Sequence, residues 1–160
     1  LATALQMAVG YNAIGLEGLV YKPFIVQKIV SHDNQVMKEF GSNLVRDVSE
    51  PTTDGRPYIE KKYFTVVKEA MRRVANGDRG TARFWKIPGI EMAGKTGTSQ
   101  VMSFSADQIH SNCMNRPVHQ RHHGWFVAFA PAEKPEITIA AVGRTIKSIG
   151  SNSSKKQMVG

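Results

Sequence analysis

Two short apolar runs near the end of the chain constrain its fold more than any other feature. Gly124 to Ala130 and Glu136 to Val142 have strand length, and Pro131 to Pro135 between them reads as a turn. The pair is expected to form a hairpin. Trp125, Phe126 and Phe129 alternate only in part, so the first strand is expected to be covered on both faces. No apolar run reaches the ~20 residues that cross a bilayer. A hairpin accompanied by helices points to an α+β fold. The 160 residues correspond to one domain and can bury a sizeable core.

The helices carry recognisable signals. Thr3-Ala4-Leu5-Gln6 has the pattern of a capping box, predicting a helix that runs to about Ile14 and stops at Gly15. Leu5, Ala8, Val9 and Ala13 share one face of it. A second helix is expected over Ile59 to Asn76, ending at Gly77. Tyr63, Val66, Val67, Ala70, Met71 and Val74 fall on a helical stripe and read as core. Leu19 to Tyr21 and Phe24 to Ser31 read as extended, His32 to Gln35 as a turn, and Val36 to Phe40 as a returning strand. Residues 41–57 are turn-rich, and Glu91 to Val101 reads as a strand rich in Gly and Thr. Residues 103–122 are polar and irregular, and the Ser, Asn, Gly and Lys residues after Arg144 read as a frayed tail.

Charge narrows the function classes. The chain has 21 Lys and Arg against 13 Asp and Glu, a formal net charge of +8. Such a balance can serve nucleic acid, an acidic membrane surface or an anionic substrate. The cations are scattered, with no interleaved aromatic platform, and Arg72, Arg73 and Arg79 read as a solvated helix face. A basic polyanion-binding module is therefore the alternative from a different class, and steep salt-dependent binding would mark it. The lone Cys113 permits no internal disulfide. Cys113, His119, His122 and His123 match no common zinc spacing, so no metal and no other cofactor is expected.

Ala93-Gly94-Lys95-Thr96-Gly97-Thr98-Ser99-Gln100-Val101 resembles the K-T-G strand of the penicillin-interacting serine enzymes. The flanks extend the likeness. Leu5-Gln6-Met7-Ala8 resembles the opening of the "T-P-x-Q-M-A" helix of class B penicillin-binding proteins. Met71-Arg72-Arg73-Val74 with Gly80-Thr81-Ala82 resembles the "M-x-x-V…G-T-A" stretch before the K-T-G strand. His123-Gly124-Trp125-Phe126-Val127-Ala128-Phe129-Ala130-Pro131 resembles the strand that follows it. The resemblance covers residues 1–143 and, through the insertion after Val101, is closest to the branch serving cell elongation, penicillin-binding protein 2. A β-lactamase or a β-lactam sensor of the same clan is the alternative within it. The family's S-x-x-K and S-x-N motifs are absent, and Ser153-Ser154-Lys155-Lys156 fits S-x-x-K only in the wrong order. The chain therefore reads as the C-terminal portion of such a domain (1–143) with a divergent or disordered tail (144–160).

The resemblance implies a penicillin-binding transpeptidase fold, a central antiparallel sheet with helices on its faces. It implies serine acyl transfer between peptidoglycan stem peptides, with β-lactams as covalent mimics. Lys95 and Thr98 are then catalytic, and Thr96, Gly97, Thr98 and Ser99 bind substrate. The chain holds no nucleophile and is expected to be inactive and poorly stable alone. The implied partners are the stem peptide, β-lactams, a glycosyltransferase and elongation-machinery proteins, with no nucleic acid. The implied place is the periplasmic side of an inner-membrane anchor.

Overall fold

The computed structural model describes residues 2–103 and 115–143. The tail after residue 143 and Cys113 lie outside the described residues. The chain divides into two units, Leu1–Thr96 with Phe126–Ala141, and Gly97–Trp125 with Val142–Gly160. The architecture is α+β, as the hairpin and helices of the sequence imply.

Helix α1 spans Ala4–Gly15 and begins at a complete capping box. Thr3 Oγ1 accepts the Gln6 N–H at 3.2 Å, and Gln6 Oε1 accepts the Thr3 N–H at 2.8 Å. Two otherwise orphaned donors are thereby satisfied. Of the expected apolar face, Ala13 is buried but Leu5 is 60% exposed. Tyr11 and Ile14 of α1 pack, partly buried, against the cluster of Met71, Ala93, Phe129 and Ala132. The chain leaves the helix through Glu17 (φ 55°) and Gly18 (φ 114°). A Cβ on Gly18 would stand 2.8 Å from Ser49 Cβ, so both backbone and space require glycine there.

That turn delivers β1, Leu19–Lys22, to an antiparallel pairing with β4, Asn43–Asp47. Leu19 faces Asp47 and Lys22 faces Asn43, with a register shift at Val20/Tyr21. Strand β4 adds an element that the turn-rich reading of residues 41–57 did not contain. Its side chains are polar or exposed, so periodicity left no trace, and backbone pairing with β1 creates it. Strands β2 (Lys28–Val30) and β3 (Val36–Glu39) form a small exposed hairpin. The extended segment from Phe24 is thus a strand only from Lys28.

Helix α2 spans Lys61–Asn76, beginning two residues later than expected because the Ile59 N–H pairs with the Val48 carbonyl. Its buried residues are Phe64, Met71 and Ala75. The expected core stripe is only partly core, since Tyr63 is 53% and Val66 is 67% exposed. Val66, with Tyr11, Ile14, Val67, Ala70 and Val74, lines an open apolar groove between α1 and α2. The buried side of α2 is set by what packs on it: Met71 joins Ala93, Phe129 and Ala132 in one cluster.

Strands β5 (Ala93–Ser99), β6 (His123–Ala130) and β7 (Ile137–Gly143) form a sheet in the order β5-β6-β7. The Glu91 carbonyl accepts from the Ala132 N–H, and Gly94 meets Phe126 and Ala128. These contacts descend β6 as they climb β5, so the two run antiparallel. The expected hairpin of β6 and β7 closes with the Glu136 N–H on the Ala130 carbonyl at 2.9 Å. Val127, Ala128 and Phe129 are buried in succession, as expected of a strand covered on both faces.

After α2 the chain makes a tight turn. Gly80 is buried, and a Cβ there would meet the Val74 carbonyl and stand 2.6 Å from the Arg73 oxygen. Gly10, inside α1, has nothing within 4 Å of its missing Cβ. Gly80→Ala is expected to destabilise by about 1–3 kcal/mol through overpacking against fixed backbone. Gly10→Ala is expected to stabilise by about 0.5–1 kcal/mol through helix propensity. Chemical denaturation of the complete protein carrying each variant checks both signs.

Candidate functional site

Strand β5 starts in the core and emerges from it. Ala93 is 0% exposed and Gly94 is buried, whereas Lys95, Gly97 and Thr98 are exposed and Thr96 and Ser99 are half-buried. In the described sheet β5 is an edge strand, so one side of its backbone has no strand partner.

In the first unit, Lys95 lines the α1–α2 groove, and its Nζ donates to the Thr96 carbonyl at 2.5 Å. The Thr96 hydroxyl lies 2.9 Å from the Thr81 hydroxyl. Thr81 belongs to the turn that follows α2. The Ala82 N–H donates to the Val74 carbonyl at 3.1 Å, and the Arg83 guanidinium donates to the Gly80 carbonyl at 3.2 Å.

In the second unit, Ser99 Oγ accepts the indole N–H of Trp125 at 3.3 Å. Gly97 has only Trp125 Cβ near its missing Cβ, at 3.5 Å, which is ordinary contact. Neither a left-handed φ nor a close neighbour among the described residues demands glycine here. Of the histidines, His119 sits in a short 3₁₀ turn, Val118–Gln120, and His123 opens β6. Among the described residues no group of three His, Cys, Asp or Glu side chains is placed to hold a metal ion.

The entry to β5 is fixed by charge. Arg72 Nε and Nη2 grip the two Glu91 oxygens at 2.8 and 3.0 Å, a fork-on-carboxylate geometry. Asn76 Nδ2 donates to the Met92 carbonyl at 2.7 Å. Glu69 accepts from Arg73 at 2.8 Å and from Arg72 at 3.3 Å. Arg72 and Arg73, expected as a solvated helix face, are exposed there and ion-paired as well. The Glu91 partner was not legible because it is 19 residues from Arg72 in sequence, whereas Glu69 stands at the i,i+3 and i,i+4 spacing that could have found it. The roles of Thr81 and Asn76 were also missed. Gly80-Thr81-Ala82 stood out as a motif, but nothing in its letters pointed to Thr96.

The family model for the penicillin binding protein transpeptidase domain matches residues 1–159. The peptidoglycan D,D-transpeptidase MrdA of Salmonella typhimurium (strain LT2) is 30% identical over 145 residues, covering 89% of this chain and 21% of that protein. The MrdA of Acinetobacter baumannii (strain ATCC 19606) is 42% identical over 76 residues, covering 48% of this chain and 11% of that one. Thus the chain spans about a fifth of the length of the first of these curated relatives. Among solved structures, the D,D-transpeptidase domain of a peptidoglycan glycosyltransferase from Eggerthella lenta superposes with a TM-score of 0.61 at 26% identity, covering 88% of this chain and 27% of that one. PBPA from Mycobacterium tuberculosis shares the fold, with a TM-score of 0.61 at 22% identity over 88% of this chain and 27% of that one.

The ion pairs at the β5 entry make stability sensitive to acid. Hydrogen bonds from Arg72 hold the Glu91 carboxyl below the ordinary glutamate range, and Arg73 and then Arg72 do the same for Glu69. A depressed folded pKa stabilises above the unfolded value and is lost as pH falls through the folded one. The melting temperature of the complete protein is therefore expected to fall below about pH 4. The gap between wild type and Glu91→Gln should close over the same range. A gap that stays constant from neutral to acid pH would contradict this assignment.

Proposed function

Because the chain belongs to the penicillin-binding protein transpeptidase family, we propose that it supplies the K-T-G half of a serine-type D,D-transpeptidase site. The observation that carries this reading is β5 itself, an edge strand that leaves the core at Lys95 and presents Thr96, Gly97 and Thr98 beyond it. An unpaired strand edge suits an extended peptide, which can add to it by backbone hydrogen bonds. Strand alternation puts the Thr96 and Thr98 side chains on one side. Their hydroxyls bind the terminal carboxylate of the substrate, with the Lys95 ammonium supplying positive charge and helping to move protons. The Thr98 N–H is one donor to the oxyanion. The missing Cβ of Gly97, which the fold does not require, lets the substrate backbone lie against the strand. Ser99 borders the site, its hydroxyl held by Trp125.

The nucleophilic serine belongs to a part of the protein beyond these 160 residues. Its Oγ attacks the carbonyl of the penultimate D-Ala, the C–N bond breaks, and the leaving D-Ala amine takes up a proton. An amine of a second stem peptide then attacks the ester, forms the cross-link and returns the serine to its free state. A β-lactam enters by the same attack and remains as the acyl-enzyme. Membership of the penicillin binding protein transpeptidase family supports β-lactam binding here. Peptidoglycan lies outside the inner membrane, so the domain works in the periplasm from a membrane anchor, beside a glycosyltransferase and the elongation machinery.

Labelled penicillin tests the reading on the complete protein. Wild type is expected to form a covalent adduct, and the 160-residue chain alone should gain no mass. Lys95→Ala should abolish most labelling. Gly97→Ala should fold normally yet acylate more slowly, on the order of 10²-fold, because the ligand is displaced by about 1 Å. Labelling of Lys95→Ala at the wild-type rate, or an adduct on the isolated chain, would overturn the proposal.

A further inference from the structure

We propose that Thr81 is a positioning residue that aims the Thr96 hydroxyl at the ligand carboxylate. The inference rests on the carboxylate-binding reading of Thr96 given above. It begins from the contact between the two hydroxyls, 2.9 Å apart and 15 residues apart in sequence. A threonine hydroxyl carries one proton and can both donate and accept. An anion accepts only, so Thr96 must donate to it. Thr96 then accepts from Thr81, whose single proton points along the 2.9 Å contact. The carboxylate thus fixes the sense of the whole chain of hydrogen bonds. Thr81 in turn fixes the rotation of the Thr96 hydroxyl and polarises it toward the anion.

The turn around Thr81 is built to hold this geometry. Gly80 has no room for a side chain beside the Val74 and Arg73 carbonyls. Ala82 is 3% exposed, and its N–H is tied to the Val74 carbonyl at 3.1 Å. Both neighbours of Thr81 are therefore locked to the last turns of α2. Thr81 itself is exposed. Across the contact, Thr96 sits on a strand whose entry is held by the Arg72–Glu91 fork and by Asn76. Two rigid elements thus meet at one pair of hydroxyls, an arrangement that sets a donor's direction at little entropic cost.

The test compares acylation of the complete protein by benzylpenicillin and by its methyl ester, in which the carboxylate charge is masked. Rates are read by competition with fluorescent penicillin. Thr81→Val keeps the branched shape and removes the hydroxyl. It should slow benzylpenicillin by about three- to tenfold, the loss of one neutral hydrogen bond, and leave the ester unchanged. Thr81→Ser should restore most of the rate, and Thr81→Ala should repeat the valine result. A merely structural role would slow acid and ester alike, and that outcome overturns the proposal. Thr96→Val is the control. If Thr96→Val separates acid from ester and Thr81→Val does not, the inference about Thr81 falls alone. If neither separates them, the carboxylate reading of Thr96 falls with it.

Discussion

Arg72 grips Glu91 through two nitrogens, and two residues later Ala93 disappears from solvent between Met71, Phe129 and Ala132. Everything beyond Ala93 on β5 depends on that anchorage. The ion pair is exposed, so its Coulomb attraction is screened and modest. Its value lies in direction, because a planar fork fixes both the helix and the carboxylate in register. Burial of Ala93 and its neighbours supplies the non-directional part of the stabilisation. Together they allow a strand to enter the solvent with a defined register, which an edge strand of small residues would not otherwise keep.

Helix α2 organises the first unit from one end to the other. Met71 faces the core, Arg72 and Asn76 hold the approach to β5, and the Val74 carbonyl receives Ala82. The last two turns of one helix thereby fix the strand and the Gly80-Thr81-Ala82 turn relative to each other. The hydroxyl contact between Thr81 and Thr96 follows from that arrangement without a further constraint. On the other side of α2, Val66 lines the α1–α2 groove, and both Val66 and Tyr63 remain exposed.

The parts of the fold visible in sequence were those written in local chemistry. Thr3 and Gln6 announced the start of α1 because a capping box closes within four residues. Gly77 marked the end of α2, and the prolines at 131 and 135 marked the turn between β6 and β7. The K-T-G strand was found from its letters and their neighbours, and β5 spans Ala93–Ser99 inside the expected range. Strand β4 was missed because Asn43 to Asp47 lack alternation, and pairing with β1 alone makes them a strand. The exposure of Tyr63 and Val66 was also missed. Helical periodicity identifies an apolar stripe but not which edge of it meets a neighbour.

Sequence by itself determined the family, the helix boundaries to within two residues, and the Lys95-Thr96-Gly97-Thr98 segment as the place to look. It could do so because caps, turns and motif letters act over a few residues. Only the tertiary structure decided that Arg72 belongs to Glu91, that Thr81 belongs to Thr96, and that the buried side of α2 runs through Phe64, Met71 and Ala75. Those facts concern residues brought together from distant parts of the chain. Their energies arise from contact and exclusion of water, which have no expression in the order of the letters until the chain has folded.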